Sequence, residues 1–195
     1  WRFASRRYEI PCPVWMRWLL DTPFSKGLSA RTKKTISHLT ISPGMKVLDV
    51  GCGPGRLTIP LAEAVGPHGE VTGIDIQEGM LHNAQERANR AHLTNIRFLR
   101  IGAGEGRLER DYYDRAVLVT VLGEIPDREA ALRDIFSALK PGGSLLIEEI
   151  ILDPHFQTHG TVIKLGSAAG FIEKSFSGNR FSYILILEKP AVSGL

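Results

Sequence analysis

Three glycines at alternate positions, Gly51, Gly53 and Gly55, follow a short apolar run in this chain of 195 residues. The run, Val47 to Val50, is too short for a helix and predicts a strand buried on both faces. After the turn, the apolar spacing becomes that of a helix, which Gly66-Pro67 ends. A strand, a glycine turn and a helix N-terminus form a cradle that a nucleotide-like ligand can approach closely, because glycine has no Cβ.

Acidic residues lie at two positions that suit this cradle. Asp75 ends the predicted strand Glu70–Asp75, 20 positions after Gly55, where a carboxylate can accept hydrogen bonds from ribose hydroxyls. Ile76 comes next and can lie against an adenine face. Asp49, inside the first strand, needs partners for a buried carboxylate, and either turn N–H groups or the ammonium end of a bound amino acid would serve. A turn-capping role fits Asp49 equally well. Together these residues predict an adenosine ligand.

The glycine spacing distinguishes a dinucleotide such as NAD from other ligands that contain adenosine. The dinucleotide fingerprint G-x-G-x-x-G needs glycine at position 56, where this chain has Arg56, and its third glycine comes one place early. The stretch VLDVGCGPGRLT, residues 47–58, instead resembles motif I of the class I S-adenosylmethionine (SAM)-dependent methyltransferases.

Two further stretches are similar to that family. Lys140-Pro141-Gly142-Gly143 resembles its turn into the fifth strand, and Tyr113-Asp114 the aromatic–aspartate pair that opens its fourth. The resemblance covers nearly all of residues 45–188. The most similar subgroup is the type-11 kind, which includes the C-methyltransferases of quinone biosynthesis.

The resemblance implies SAM as cofactor, with S-adenosylhomocysteine (SAH) as product, and assigns roles to residues. Gly51 and Gly53 would contact the methionine part, Asp75 the ribose and Ile76 the adenine. Backbone groups near Leu118 and Val119 would hold the amino-acid end. The complete predicted cofactor set is Asp49, Gly51, Cys52, Gly53, Gly55, Asp75, Ile76, Gly102, Ala103, Leu118 and Val119.

One position departs from the family pattern. After the third strand, family members often carry an acid that accepts the adenine amino group, and the matching position here is Gly102. That contact must come from the backbone, from Glu105, or be absent. One lost hydrogen bond costs on the order of 1 kcal/mol, about fivefold in affinity.

Methyl transfer from a sulfonium is an in-line displacement, and positioning can supply roughly 7–11 kcal/mol of the barrier. A base is needed only if the acceptor loses a proton. Glu124, at the end of the fourth strand, is the first candidate for contact with the acceptor, although a solvated loop acid is an equally good reading. Glu148 and Glu149 adjoin each other in the predicted fifth strand and should point to opposite faces. The acceptor is expected to be a small, fairly apolar molecule.

The remaining chemically capable residues predict no metal site. His155 and His159 are four apart, but no matching Cys, Asp or Glu pattern completes a ligand set. Asp153 and His155 could reach the site mouth. No histidine lies near Cys52 in sequence, so its side chain is predicted to be a small filler.

From Met45 onward, strands alternate with helices, which predicts an α/β fold: a Rossmann-like, doubly wound sheet of seven strands with helices on both faces. The sheet should be mostly parallel with an antiparallel last strand, because Gly178-Asn179 is short enough for a hairpin. In the family, that last strand inserts between the fifth and the sixth.

Residues 1–44 are predicted to form an N-terminal basic helical cap on the SAM-binding domain of residues 45–195. This segment carries eight basic and two acidic residues, whereas the rest carries 16 basic and 19 acidic ones. A nucleic acid could use such a charge, but a solvated arm is the better reading. A helix around Trp15 and Trp18, and a second from Ser29 (as N-cap) to Leu39, are expected within it.

Composition bounds the class of protein. With 43% hydrophobic and 23% charged residues, the chain is typical of a soluble globular domain. Neither a signal peptide nor a transmembrane segment is expected. The two cysteines favour a reducing compartment, so a cytoplasmic location is predicted. The sequence leaves open whether the protein forms a homodimer.

Three alternatives to a small-molecule methyltransferase remain. An NAD(P)-dependent oxidoreductase is disfavoured by Arg56 and by the absence of a Tyr-x-x-x-Lys pair. A non-catalytic SAM-fold binding subunit stays open because of Gly102 and the short loops. A nucleic-acid methyltransferase is disfavoured because residues 118–125 lack the Asn/Asp-Pro-Pro-Tyr type motif of amino-group methylators.

Overall fold

The apolar run after Met45 lies near the centre of a seven-stranded sheet in the computed structural model, which describes residues 25–191. Strand β1 (Lys46–Val50) is buried on both faces, as its composition predicts. Val47 packs into an apolar cluster on one face of the sheet, and Leu48 packs into a second cluster on the other. The alternation follows from the two-residue period of a strand.

The strands lie in the order β3-β2-β1-β4-β5-β7-β6. Neighbours from β3 to β5 are parallel, whereas β7 runs antiparallel to both β5 and β6. The predicted insertion of the last strand between the fifth and sixth is confirmed, as is the fold class. The other strands are β2 (Glu70–Asp75), β3 (Ile96–Arg100), β4 (Tyr113–Val119), β5 (Leu139–Ile150), β6 (Ile172–Asn179) and β7 (Ser182–Glu188).

Helices cover both faces of this sheet. Helices α1 and α2 contribute to one apolar cluster, and α4 and α5 to the other. Two of them begin at a capping side chain: Asp127 accepts from the N–H of Ala130 at the start of α4, and Thr158 from the N–H of Thr161 at the start of α5. The helices are α1 (Ser25–Leu39), α2 (Thr58–Val65), α3 (Glu78–Arg90), α4 (Arg128–Ala138) and α5 (His159–Ala169).

Four predicted boundaries are wrong, among them the hairpin join, since Gly178 and Asn179 lie in β6 and residues 180–181 form the turn. Helix α1 begins at Ser25, so Ser29 is not its N-cap. Strand β5 begins at Leu139 rather than at Ser144, because Leu139 pairs with Tyr113 of β4, and residues Lys140–Gly143 form the irregularity between this pair and the next. Strand β4 ends at Val119, and a single 3₁₀ turn (Leu122–Glu124) follows it.

The predicted cap is described only in part. Within residues 1–44, the helix expected around Trp15 and Trp18 lies outside the described residues, whereas α1 packs Leu39 into the core. None of the helices described between residues 25 and 191 combines the length and the apolar character needed to span a membrane.

Candidate active site

The glycine loop after β1 is fastened to the end of β2 by backbone hydrogen bonds. The N–H groups of Gly51 and Cys52 both donate to the carbonyl oxygen of Ile74, at 2.9 and 3.0 Å. The N–H of Gly53 donates to Asp75 Oδ2 at 3.0 Å. The loop therefore brings two of the residues predicted for the ligand, Gly53 and Asp75, into direct contact.

The glycines of this loop serve different purposes. A Cβ added at Gly51 would lie 2.6 Å from both γ-carbons of Val121, so this glycine allows the loop to pack against the end of β4. A Cβ at Gly55 would lie 3.1 Å from that of Ala84 in α3. Gly53, with φ of +52°, faces open space instead. The open side of the cradle is therefore at Gly53.

Asp75 is half-buried and already anchors two backbone groups. Its Oδ2 accepts from Gly53, and its Oδ1 accepts from the N–H of Gln77 at 2.8 Å. Burial raises the pKa of Asp75, and these two hydrogen bonds oppose the rise. A carboxylate offers about four lone-pair positions, so both oxygens retain capacity for ribose hydroxyls.

Asp49 is buried, and its partner is a residue that sequence reasoning did not single out. Thr58 Oγ1, at the start of α2, donates to Asp49 Oδ2 at 2.6 Å. Burial raises the pKa of Asp49 to about 6, with the Thr58 hydrogen bond opposing the rise and the charge of Asp75 adding to it. Thr58 holds this carboxyl in place beneath the loop.

Cys52 points away from the open side of the loop. Its Sγ lies 3.1 Å from where a Cβ of Gly73 in β2 would be, and its side chain is buried. Burial raises the pKa of this thiol, so it stays protonated and is a poor nucleophile. Only its backbone can serve a ligand.

The adenine side of the predicted site joins the ends of β2 and β3. The Ile76 side chain is 53% exposed, which is unusual for an isoleucine and leaves an apolar surface open. Glu105 Oε1 accepts a hydrogen bond from the N–H of Gly102 at 2.9 Å. A Cβ at Gly102 would lie 2.9 Å from that oxygen and 3.5 Å from Ile76 Cγ2. Ala103 packs its side chain against the core, so only its backbone faces outward.

The end of β4 borders the loop on its other side. Leu118 is fully buried, and Val119 lies opposite Glu148 of β5 in the sheet register. Thr120, which comes next, has φ of +55°, a value that a β-branched residue rarely adopts. No sequence signal predicts that strain. Glu124 lies in the 3₁₀ turn, partly buried, with its N–H bonded to the carbonyl of Val121.

Glu148 and Glu149 point to opposite faces of β5, as predicted, and both are buried. Glu148 Oε2 accepts from Thr35 Oγ1 at 2.5 Å, and its Oε1 accepts from Arg31 Nε. Glu149 Oε2 accepts from the N–H of Gln157 at 3.1 Å, while its Oε1 has no hydrogen-bond partner. Burial raises the pKa of Glu149 to about 8. Sequence reasoning missed Arg31, because its partner is 117 positions away.

His155, expected to be able to reach the site mouth, lies in the loop after β5. Its side chain is buried, and its backbone N–H donates to Asp153 Oδ1 at 2.6 Å. Its carbonyl packs against Gly123, so the loops after β4 and β5 lie in contact. No cluster of three or more potential metal ligands occurs among residues 25–191.

Comparison with known proteins agrees with this geometry. The family described as "Methyltransferase domain" matches residues 41–185. Demethylmenaquinone methyltransferase of Staphylococcus aureus is 38% identical over 117 residues, which are 60% of this chain and 48% of that protein. The chain thus spans about half the length of the curated relatives it matches.

Solved structures share the fold. A SAM-dependent methyltransferase from Aquifex aeolicus superposes with a TM-score of 0.81 at 21% identity, covering 92% of this chain and 100% of the other. A Haemonchus contortus phosphoethanolamine N-methyltransferase bound to SAH superposes with a TM-score of 0.71 at 15% identity, covering 83% of this chain and 52% of the other. With the family match over most of its length, this chain belongs to the class I SAM-dependent methyltransferases.

Proposed function

We propose that this protein transfers a methyl group from SAM to a small, largely apolar acceptor. The observation that carries the proposal is the crevice between the ends of β1 and β2. There the open side of Gly53, the carboxylate of Asp75 and the exposed Ile76 side chain lie together. Ligands of open α/β sheets bind at the carboxyl ends of the strands, beside the point where the strand order reverses, which here lies between β1 and β4.

Each residue has a role in the proposal. Asp75 accepts hydrogen bonds from the ribose hydroxyls, and Ile76 packs on the adenine. Gly51, Leu118 and Val119 border the methionine end through their backbone groups. These residues fix the donor so that the acceptor can approach in line, which is the main requirement of methyl transfer.

The named relatives support a choice of acceptor class. A demethylmenaquinone methyltransferase is among the relatives, so a quinol-like aromatic acceptor is the first class to test. Apolar walls favour the reaction, because the positive charge of a sulfonium disappears as the methyl group is transferred. Glu124, in the turn after β4, is the proposed acid nearest the acceptor.

Isothermal titration of the chain with SAM, SAH and NADH tests the cofactor. We expect micromolar binding of SAM and SAH and none of NADH. Asp75→Ala should weaken SAH binding at least about tenfold, since hydrogen bonds to a charged group contribute roughly 1.5–3 kcal/mol. Glu129→Ala, which removes an exposed acid on α4, is the matched control and should bind normally.

Two outcomes favour a rival function. Binding of NADH in place of SAM would identify an oxidoreductase. Tight SAH binding without methyl transfer to reduced menadione or to other small phenols would favour a non-catalytic SAM-binding subunit.

A further inference from the structure

The loop after β3 carries three glycines at alternate positions, Gly102, Gly104 and Gly106, around a single carboxylate, Glu105. Gly104 and Gly106 have φ of +97° and +67°, values that favour glycine. Three glycines in five residues give the backbone so much freedom that the loop by itself cannot fix the direction of the Glu105 side chain. A contact from outside the loop must therefore hold it.

One side chain of α4 supplies that contact. Asp134 Oδ2 accepts from the N–H of Gly104 at 3.0 Å and from the N–H of Gly106 at 3.2 Å. These two N–H groups flank Glu105, so a single carboxylate oxygen fastens the loop on both sides of that residue. Both hydrogen bonds are charge-assisted, which is the stronger kind. Asp134 is 30 and 28 positions away from its two partners, so no local pattern in the sequence predicts the contact.

The lack of a side chain at Gly104 allows the loop to approach α4 this closely. A Cβ at Gly104 would lie 3.0 Å from the backbone nitrogen of Ala131 and 3.2 Å from the Cβ of Ala130, both in α4. A larger residue would push the loop away from the helix. Gly104 therefore keeps the N–H groups within hydrogen-bond distance of Asp134.

The fastened loop presents the Glu105 carboxylate beside the predicted adenine surface. Glu105 Oε1 accepts from the N–H of Gly102 at 2.9 Å, and Oε2 accepts from Arg107 Nη1 at 3.3 Å. A Cβ at Gly102 would lie 2.9 Å from Glu105 Oε1 and 3.5 Å from Ile76 Cγ2, so the acid and the exposed isoleucine are near each other. Glu105 is itself exposed, so a ligand that packs on Ile76 can reach its carboxylate.

We propose that Asp134 is a positioning residue for nucleobase recognition: it holds the Glu105 carboxylate where the 6-amino group of a purine on Ile76 donates to it. This role rests on the proposed SAM-dependent function. A carboxylate accepts from a 6-amino group and repels a 6-oxo group, so the arrangement selects adenosine ligands over inosine ones. Asp134 contacts no ligand and acts through Glu105.

The test is titration calorimetry of the whole chain with SAH and with S-inosylhomocysteine, which has an oxygen in place of the 6-amino group. The preference is the ratio of the two dissociation constants, and we expect the wild-type chain to prefer SAH. Asp134→Ala should reduce this ratio by up to about fivefold, the value of the one hydrogen bond at stake. Asp134→Asn keeps an oxygen that can accept from both N–H groups and should retain most of the preference.

A double-mutant cycle separates positioning from a general loss of stability. In the Glu105→Ala background, Asp134→Ala should leave the ratio unchanged, because the carboxylate that Asp134 positions is gone. Asp127→Ala is the matched control on the same helix. It removes the N-cap of α4, where Asp127 accepts from the N–H of Ala130 at 2.8 Å, and should lower stability without changing the ratio. Asp134→Ser, which is too short to bridge both N–H groups, should match Asp134→Ala and replaces it if the alanine variant does not fold.

Three outcomes would overturn the positioning role: an unchanged ratio in folded Asp134→Ala or Asp134→Ser, a further fall in the Glu105→Ala background, or an equal fall in Asp127→Ala. A loss in Asp134→Asn as large as in Asp134→Ala would assign the effect to charge and also overturn it. Failure of the wild-type chain to bind SAH would overturn the proposed function. Binding of SAH with no preference over the 6-oxo analogue would leave that function standing and overturn the role of Asp134 alone.

Discussion

Glu105 can replace the acid that family members often carry at the position of Gly102. Without Glu105, the adenine amino group would have no side-chain acceptor there. Glu105 Oε1 accepts a hydrogen bond from the N–H of Gly102 at 2.9 Å. The same oxygen lies 2.9 Å from where a Cβ at position 102 would be. Its other oxygen accepts from Arg107 at 3.3 Å. Of the three alternatives that the sequence left open, this geometry favours Glu105, and we propose that it accepts the adenine amino hydrogen.

Replacing Glu105 by Ala should therefore change which purine is preferred. SAH donates from its 6-amino group, whereas S-inosylhomocysteine presents an oxygen there, which a carboxylate repels. We expect Glu105→Ala to weaken SAH binding about fivefold, the value of one hydrogen bond, and to leave the affinity for the 6-oxo analogue unchanged or improved. Isothermal titration of both ligands measures the ratio.

Glu129→Ala should preserve the wild-type ratio between the two purines. An unaltered ratio in Glu105→Ala would show that the adenine is recognised by backbone groups alone.

At the scale of elements, the loops after β4 and β5 pack closely against each other at Gly123. A Cβ at this position would lie 1.8 Å from the carbonyl oxygen of His155, which is backbone and cannot rotate away. Arg128 Nη2 donates to the carbonyl of Gly123 at 2.9 Å on the same turn. Both loops follow the carboxyl ends of their strands, the edge of the sheet at which we propose that the acceptor enters, so their contact would shape that entrance.

Gly123→Ala should lower the free energy of unfolding by about 3 kcal/mol, since overpacking costs 1–3 kcal/mol and sometimes more. Gly160 is the matched control, because it lies in α5 with open space around its Cβ position. Gly160→Ala should raise stability by up to about 1 kcal/mol through helix propensity. Urea denaturation of both variants measures the difference. Similar stabilities for the two variants would mean that the loops separate at little cost.

At the scale of the whole molecule, buried acids make stability depend on pH. Burial raises the pKa of Glu149 from 4.5 to about 8, so the folded state keeps a proton that the unfolded chain releases above pH 4.5. Stability from this group is complete below pH 4.5 and is lost as the pH rises towards 8. Asp49, with a pKa of about 6 against 3.8, acts in the same direction at lower pH.

Glu149→Gln should remove the larger part of this dependence. One pKa unit corresponds to about 1.4 kcal/mol, so the stability of the variant relative to wild type should increase by on the order of 4 kcal/mol from pH 5 to pH 8. Urea midpoints at several pH values measure it. The exposed Glu129→Gln should give a curve parallel to wild type, and a parallel curve for Glu149→Gln would show that Glu149 is ionised when folded.

The architecture and the contact between the glycine loop and Asp75 were predictable because their signals are local in sequence. The strand at Val47, the glycine turn and Asp75 each follow from the period of the apolar residues and the chemistry of a few neighbours. The antiparallel last strand was predicted from a short hairpin join and the family resemblance, but the join was placed two residues early, since Gly178 and Asn179 belong to β6 and residues 180–181 form the turn. Boundaries were less accurate, since β5 begins at Leu139, whose pairing with Tyr113 of β4 is not visible in the sequence, and Lys140–Gly143 forms an irregularity inside the strand.

The sequence by itself determined the α/β alternation, the position of the glycine loop and the acid that meets it, because backbone preference and hydrophobic period act over a few residues. Only the tertiary structure decided that Arg31 pairs with Glu148, that Gly123 packs on His155 and that Glu105 returns to Gly102. Those contacts depend on how separate elements pack and on which rotamers that packing permits. Neither can be predicted from the spacing of residues along the chain.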